Sequence, residues 1–393
     1  MKDDLYNKYC VIFFYVSLII FPLNKVVSLF FQGFGFPYLA GKSIYIGYFL
    51  VYLLAFTLII RFGVSLKRLT VLYTIYILYF ILFLTSNSAV KPIFTDVKML
   101  MNFFYYLPYS VLILSTISDF DYLFSSKIIN NLNYLIIISS FIVKYSFNEQ
   151  SNYMTYSYHL LPIWILFTIN YIYKPGILKT VIAIIMILEG VLYGARGPLI
   201  WLFASSIFFI LLKVIEDKFF NNITLKSISR FFLGSMLLFG IFNFMGKLFP
   251  TLNINDSYIL RRIQDGEISD SLGRVMMFDI AISYLKNMGG EINGIFFDRT
   301  LMPSNLYVHN FILETFLSFG WVLGFVILFS IFYLLLSTFL KAKLSNKKLI
   351  VFAISAFFLK YFLSGSLYED DGFIILLSLI YSVKQQEEKQ PNY

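Results

Sequence analysis

The sequence predicts an all-α, polytopic integral membrane protein with about 12 transmembrane helices and one long outer loop that contains short helices. Three observations carry this reading. The chain of 393 residues is 59% hydrophobic, 20% aromatic and only 13% charged, which is more apolar surface than one water-soluble core can bury. Apolar runs of bilayer-spanning length recur along it, with lysines and arginines gathered in the short loops between them. A single long polar interval, Pro250–Val308, separates two late apolar runs. The net charge of +9 would suggest nucleic acid in a soluble protein, but its placement in short loops sets membrane orientation instead, and excludes nucleic acid as a partner. The lone cysteine, Cys10, excludes an internal disulfide, and a zinc site is equally unsupported.

The first span is read at Tyr9–Leu29, flanked by Lys2 and Lys8; it is too long for the apolar part of a secretory signal and is retained. Spans two and three, Ile44–Ile60 and Leu69–Thr85, enclose Arg61, Lys67 and Arg68, which place that loop inside. Spans four to six follow at Met101–Ile117, Ile129–Phe147 and Leu160–Tyr173. Spans seven and eight, Ile177–Tyr193 and Pro198–Val214, form a tight hairpin around Gly194-Ala195-Arg196-Gly197 at the outer face. Span nine is Phe231–Phe249, and after the long interval span ten runs over Phe311–Leu340, long enough for its first turns to stand above the bilayer. Spans eleven and twelve, Leu349–Leu363 and Phe373–Val383, complete the frame with both termini inside. About 18 of the 31 Lys and Arg then face inward, as the positive-inside rule requires.

Residues 1–393 read as one membrane domain with one elaborated loop, 250–309. Within that loop Asp256-Ser257 can cap a short helix to Ile263. Ser269-Asp270-Ser271 can cap a longer one that stops at Gly289-Gly290. Val275, Phe278, Ile282 and Leu285 follow three-and-four spacing and predict its apolar face.

Chemistry points first to His309, one of only two histidines, at the boundary between the loop and span ten. Imidazole titrates near physiological pH, so it can take a proton from a hydroxyl brought to the membrane surface; the alternative is a capping role. Asn310 and Glu314 are candidate substrate contacts, with orientation of the helix start as the simpler reading. Arg196, between small residues in the hairpin, can offer its guanidinium fork to phosphate oxygens, or pair with Glu189 two turns back. Arg274, in the first turn of a capped helix, can share an anion with the helix N-terminus. Arg261-Arg262 is a second cationic point. Asp119-Phe120-Asp121 has a metal-nucleotide form but sits in a short inner loop. Glu369-Asp370-Asp371 reads as a solvated acidic turn, His159 as a packed ring, and Lys144 and Lys360 as snorkelling cations.

Tyr193-Gly194-Ala195-Arg196-Gly197, Gly273-Arg274 with Phe278, and Val308-His309-Asn310 through Glu314 to Gly320 and Gly324 resemble, in this order around one long outer loop, the signatures of the O-antigen polymerase and ligase family. The resemblance covers Tyr193–Phe325; the first six spans match in hydropathy. Ala195 stands where a serine or threonine often precedes the arginine, and Phe278 where tryptophan is frequent. The resemblance implies a metal-independent, inverting glycosyltransferase without cofactor, in the bacterial inner membrane with a periplasmic loop and cytoplasmic termini. Its donor and acceptor would be undecaprenyl-pyrophosphate-linked sugars, and a chain-length regulator a further partner. Arg196 and Arg274 would neutralise the pyrophosphate, and His309 would act as base on, or orient, the acceptor hydroxyl. The preferred expectation is a polymerase of polysaccharide repeat units. A ligase moving chain to a lipid A core is the alternative within the family, and a lipid-linked oligosaccharide flippase the alternative from another class. A basic His309 would make activity fall as pH drops through its range.

Overall fold

The computed structural model describes residues 2–85, 102–147, 153–193, 196–219, 272–287, 294–295, 298–302, 307–362, 365–367 and 370–389. Among these the chain is all-helical, with no strand. Span nine, Arg261, Arg262, the Asp256-Ser257 helix and the Ser269–Ser271 cap lie outside the described residues. Among the described residues, five helical stretches are long and apolar enough to cross a bilayer: Asp4–Gly33, Tyr45–Phe62, Leu66–Thr85, Gly197–Glu216 and Phe311–Lys341. The sequence reads as a single membrane domain; the fold divides into two compact units, 11–54 with 120–269 and 1–10 with 55–119 and 270–393.

Helices α1 (Lys2–Gly33) and α2 (Pro37–Phe62) contribute to both units, and α3 (Leu66–Thr85) belongs to the second. The first unit continues with α5 (Asp121–Ser125), α6 (Lys127–Phe147), α7 (Tyr153–Tyr173), α8 (Ile177–Tyr193) and α9 (Arg196–Phe219). The apolar length of α7 is buried around Trp164 and Phe167. Several polar side chains inside this unit are paired, which offsets the cost of burying them. The Tyr15 hydroxyl donates to Asn133 at 2.8 Å. Tyr156 donates to Ser140, whose hydroxyl in turn donates to Glu189. His159 lies flat on Phe21 with ring centroids 3.6 Å apart, the packed role its position suggests.

The second unit holds α3, the segment 102–116, α10 (Leu272–Asn287), α11 (Phe311–Lys341), α12 (Leu344–Ala353) and α13 (Gly372–Lys389). Span four, expected as one helix, is broken into a π turn at Asn102–Tyr106, α4 (Leu107–Leu112) and a 3₁₀ turn at Leu114–Thr116. Pro108 is the cause: it has no N–H for the i−4 ladder, and the turn ahead of it widens. Span eleven is likewise α12 followed by a π turn at Ile354–Phe358 and a 3₁₀ turn at Leu359–Phe362. One end of the unit is laced by side chains. Asn7 accepts from the Ser118 amide and donates to the Asp119 carbonyl, each at 2.7 Å, and Ser382 donates to the Ile117 carbonyl.

The long α11 contains one break. Gly320 has φ 76° and ψ 177°, a conformation open essentially to glycine alone. It separates the first turns, 311–319, from the membrane-length remainder. The Leu317 carbonyl, released from the helical ladder, accepts the Ile295 N–H at 2.8 Å. A Cβ on Gly294 would lie 2.3 Å from that same carbonyl oxygen, so only glycine allows the approach.

Candidate functional site

The site is built where the interval 294–308 meets the start of α11. The buried side of α10 is Met277, Ala281 and Leu285, packed with Ile295, Met302, Val308 and Leu317. Of the residues expected on one apolar face, Leu285 is in this core and Phe278 at its edge, while Val275 and Ile282 are exposed. Periodicity locates a stripe without fixing its centre, and the small Ala281 is what lets α10 approach α11. The indole of Trp321 locks the two helices by donating to the Leu285 carbonyl at 3.2 Å. One apolar cluster therefore carries both the helix that begins beside Arg274 and the residue preceding His309.

Arg274 is half-buried in the first turn of α10. Among the described residues it makes no hydrogen bond or ion pair, which leaves its guanidinium available to an anion.

His309 is the one non-glycine residue with positive φ (53°) among the described residues. That conformation costs roughly 1 kcal/mol, and the backbone on both sides holds it in place. Ahead of it, the Val308 N–H donates to Asp298 at 2.9 Å. Behind it, Asn310 is the N-cap of α11, its side-chain oxygen accepting from the Ile312 and Leu313 amides at 3.0 and 3.1 Å. The imidazole packs on Tyr307 with centroids 3.9 Å apart, and the Arg299 guanidinium sits 4.7 Å from the centroid of the same ring.

Beneath this junction runs a buried chain of charges that hydropathy does not reveal. Arg299 donates to Asp298 at 2.8 Å and lies 3.8 Å from Glu314. Glu314, fully buried, accepts from the Ser366 hydroxyl at 2.6 Å and the Leu367 amide at 2.9 Å. The Ser366 amide donates to Asp370 at 2.8 Å, and Asp370 pairs with Lys360 at 3.0 Å. Glu314 is therefore a support within the fold, where the sequence also admitted a substrate contact: its carboxylate has no solvent-facing surface. Asp370 is a fixed partner of Lys360 and not part of a solvated turn, and Lys360 pairs instead of snorkelling. Burial holds the neighbouring Asp371 carboxyl above the usual carboxylate range.

Arg196 opens α9 and Glu189 lies in the last turns of α8, both in the other unit, where the Ser140 hydroxyl donates to Glu189. The Arg196 and Lys144 side chains lie outside the described residues, as do Arg261 and Arg262. Sequence reasoning did not single out Asp298, Arg299, Tyr307 or Ser366. The one available signal was an Asp-Arg pair and a tyrosine within eleven residues of the histidine. Comparison with protein-family models, with curated proteins and with solved structures finds no match.

Proposed function

We propose that this chain is a glycosyltransferase at the outer face of the bacterial inner membrane, a polymerase that joins undecaprenyl-pyrophosphate-linked repeat units within a twelve-span frame. The observation that carries the reading is the His309 junction. An imidazole is held in a left-handed backbone conformation at the head of an apolar helix, on the same apolar cluster as the helix of an uncommitted arginine. In this reading His309 withdraws the proton from the acceptor hydroxyl as it attacks the anomeric carbon. Arg274 and Arg196 stabilise the charge that develops on the departing pyrophosphate. The bond from the anomeric carbon to the pyrophosphate oxygen breaks as the new glycosidic bond forms, with inversion. The three motifs in order around one long polar interval support the same assignment.

The test is complementation of a deletion strain with His309→Ala, Arg196→Ala and Arg274→Ala at matched membrane abundance, scored by the surface polysaccharide ladder. Collapse of the ladder to single units is expected in each. Intact ladders would remove the transferase reading and bring a transporter forward. Loss of all sugar attached to the core in the deletion strain itself would indicate a ligase.

A further inference from the structure

An apolar cavity of about 620 Å³ lies inside the second unit, between α3, the broken segment 102–116, α11 and α13. One end is closed by Phe311, Leu367 and Phe373; the other bears Lys67, Arg68 and Gln385. From Phe373 to Gln385 is 12 positions along α13 (385 − 373), or about 18 Å of helix. The wall between is mostly hydrocarbon, with Ile75, Phe319 and Leu377 facing inward and Asn102, Ser115 and Ser378 among them. Its size falls in the range of about 300–1,000 Å³ typical of built ligand sites.

The two ends differ in ways that select the ligand. Lys67 is exposed and Arg68 half-buried, and among the described residues neither forms an ion pair. Val71 and Tyr381 both line the cavity and are each 41% exposed, one helical turn from Arg68 and Gln385 respectively, so the side opening is at the cationic end. At the opposite end Phe311 is fully buried within a cluster of rings that includes Phe358 and Phe373. A ligand entering from the side near Val71 therefore meets two free cations at the mouth and hydrocarbon beyond them. That is the profile of an amphiphile with an anionic head and an extended apolar chain. We propose that the cavity binds an anionic glycerophospholipid, its phosphate at Lys67 and Arg68 and an acyl chain between α3 and α13. The site is independent of the His309 chemistry and of which membrane face bears either end.

The test is lipid retention by the purified full chain, read by native mass spectrometry after exchange into detergent with equal palmitoyl-oleoyl phosphatidylglycerol and phosphatidylcholine. Two basic side chains at an anionic headgroup predict a preference of roughly 30-fold for phosphatidylglycerol. Lys67→Ala/Arg68→Ala should bring the two lipids level, and Lys67→Glu/Arg68→Glu should reverse the order. Ile75→Trp, with both cations intact, should reduce retention of either lipid by filling the channel. Equal retention by the parent protein, or a preference that survives in Lys67→Ala/Arg68→Ala, would overturn the proposal. So would displacement of phosphatidylglycerol by a C55 polyprenyl phosphate to the same extent in that variant and the parent, since the cavity would then be reading chain and not charge.

Discussion

Removing the Asp298 carboxylate tests the network that fixes His309. Asp298→Ala deletes two buried hydrogen bonds, 2.8 Å to Arg299 and 2.9 Å to the Val308 N–H. Breaking a buried ion pair costs about 3–5 kcal/mol. Glu314, 3.8 Å from Arg299, remains as a partial counter-charge and places this case near the lower bound. The Val308 amide, buried with its residue, loses its acceptor and adds about 1 kcal/mol at least. The expected destabilisation is thus about 4 kcal/mol, from roughly 3 plus roughly 1. Asp298→Asn keeps a carbonyl for the Val308 N–H, but its amide nitrogen cannot accept from Arg299, so it loses the ion pair and spares the Val308 bond, a cost of about 3 kcal/mol. At about 2 °C per kcal/mol for a chain of this size, thermal unfolding in detergent should move by about 8 °C for alanine and about 6 °C for asparagine. Hydrogen exchange of the 307–310 peptide should accelerate about fivefold or more in the alanine variant alone. The reasoning fails if alanine is no more damaging than asparagine, or if both variants unfold within about 1 °C of the parent, a margin well below the roughly 6 °C set by the smaller substitution.

Three further outcomes are expected. Gly320→Ala forces a side chain into a glycine-only conformation at a cost of about 1–3 kcal/mol, which the same unfolding measurement should register. Tyr307→Ala removes the ring that both the Arg299 guanidinium and the His309 imidazole pack against; the guanidinium contact alone is worth about 0.5–2 kcal/mol, and the polysaccharide ladder should shorten while the protein stays in the membrane. Asp371 favours its protonated form in the fold, so its contribution to stability is fully present below the ordinary carboxylate pKa and is lost as pH rises through the raised value. Asp371→Asn should abolish that part of the pH dependence, seen as a flatter plot of unfolding midpoint against acidity.

Helical class and several boundaries were legible in the sequence because they depend on average polarity. The hairpin helix over Ile177–Tyr193 has the limits that its flanking lysines and Gly194 suggest. Hydropathy averages over a window, however, and so read segment 102–116 as one span although Pro108 divides it. The same averaging hid the Gly320 break, since glycine inside an apolar run is indistinguishable from a packing glycine until its φ is known. At the junction, the placing of His309 and Asn310 at the head of α11 and of Arg274 in the first turn of α10 was readable from residue type and position. Their support was not: Glu314 meets Ser366 across 52 residues and Arg299 across 15, and no local pattern encodes pairings at such separations.

Glu314 also constrains how sequences of this kind can diverge. Its carboxylate joins three stretches of chain that are distant in sequence: the Asp298-Arg299 turn, the helix start and the Ser366-Leu367 loop. Losing any one charge strands another in a buried place, so these positions are inherited as a set, replaced together or not at all. Ile312, exposed on the next residue but one toward the N-cap, carries no such obligation and can drift freely. In a collection of homologous chains, Asp298, Arg299, Glu314 and Ser366 would therefore change in concert while their immediate neighbours vary independently.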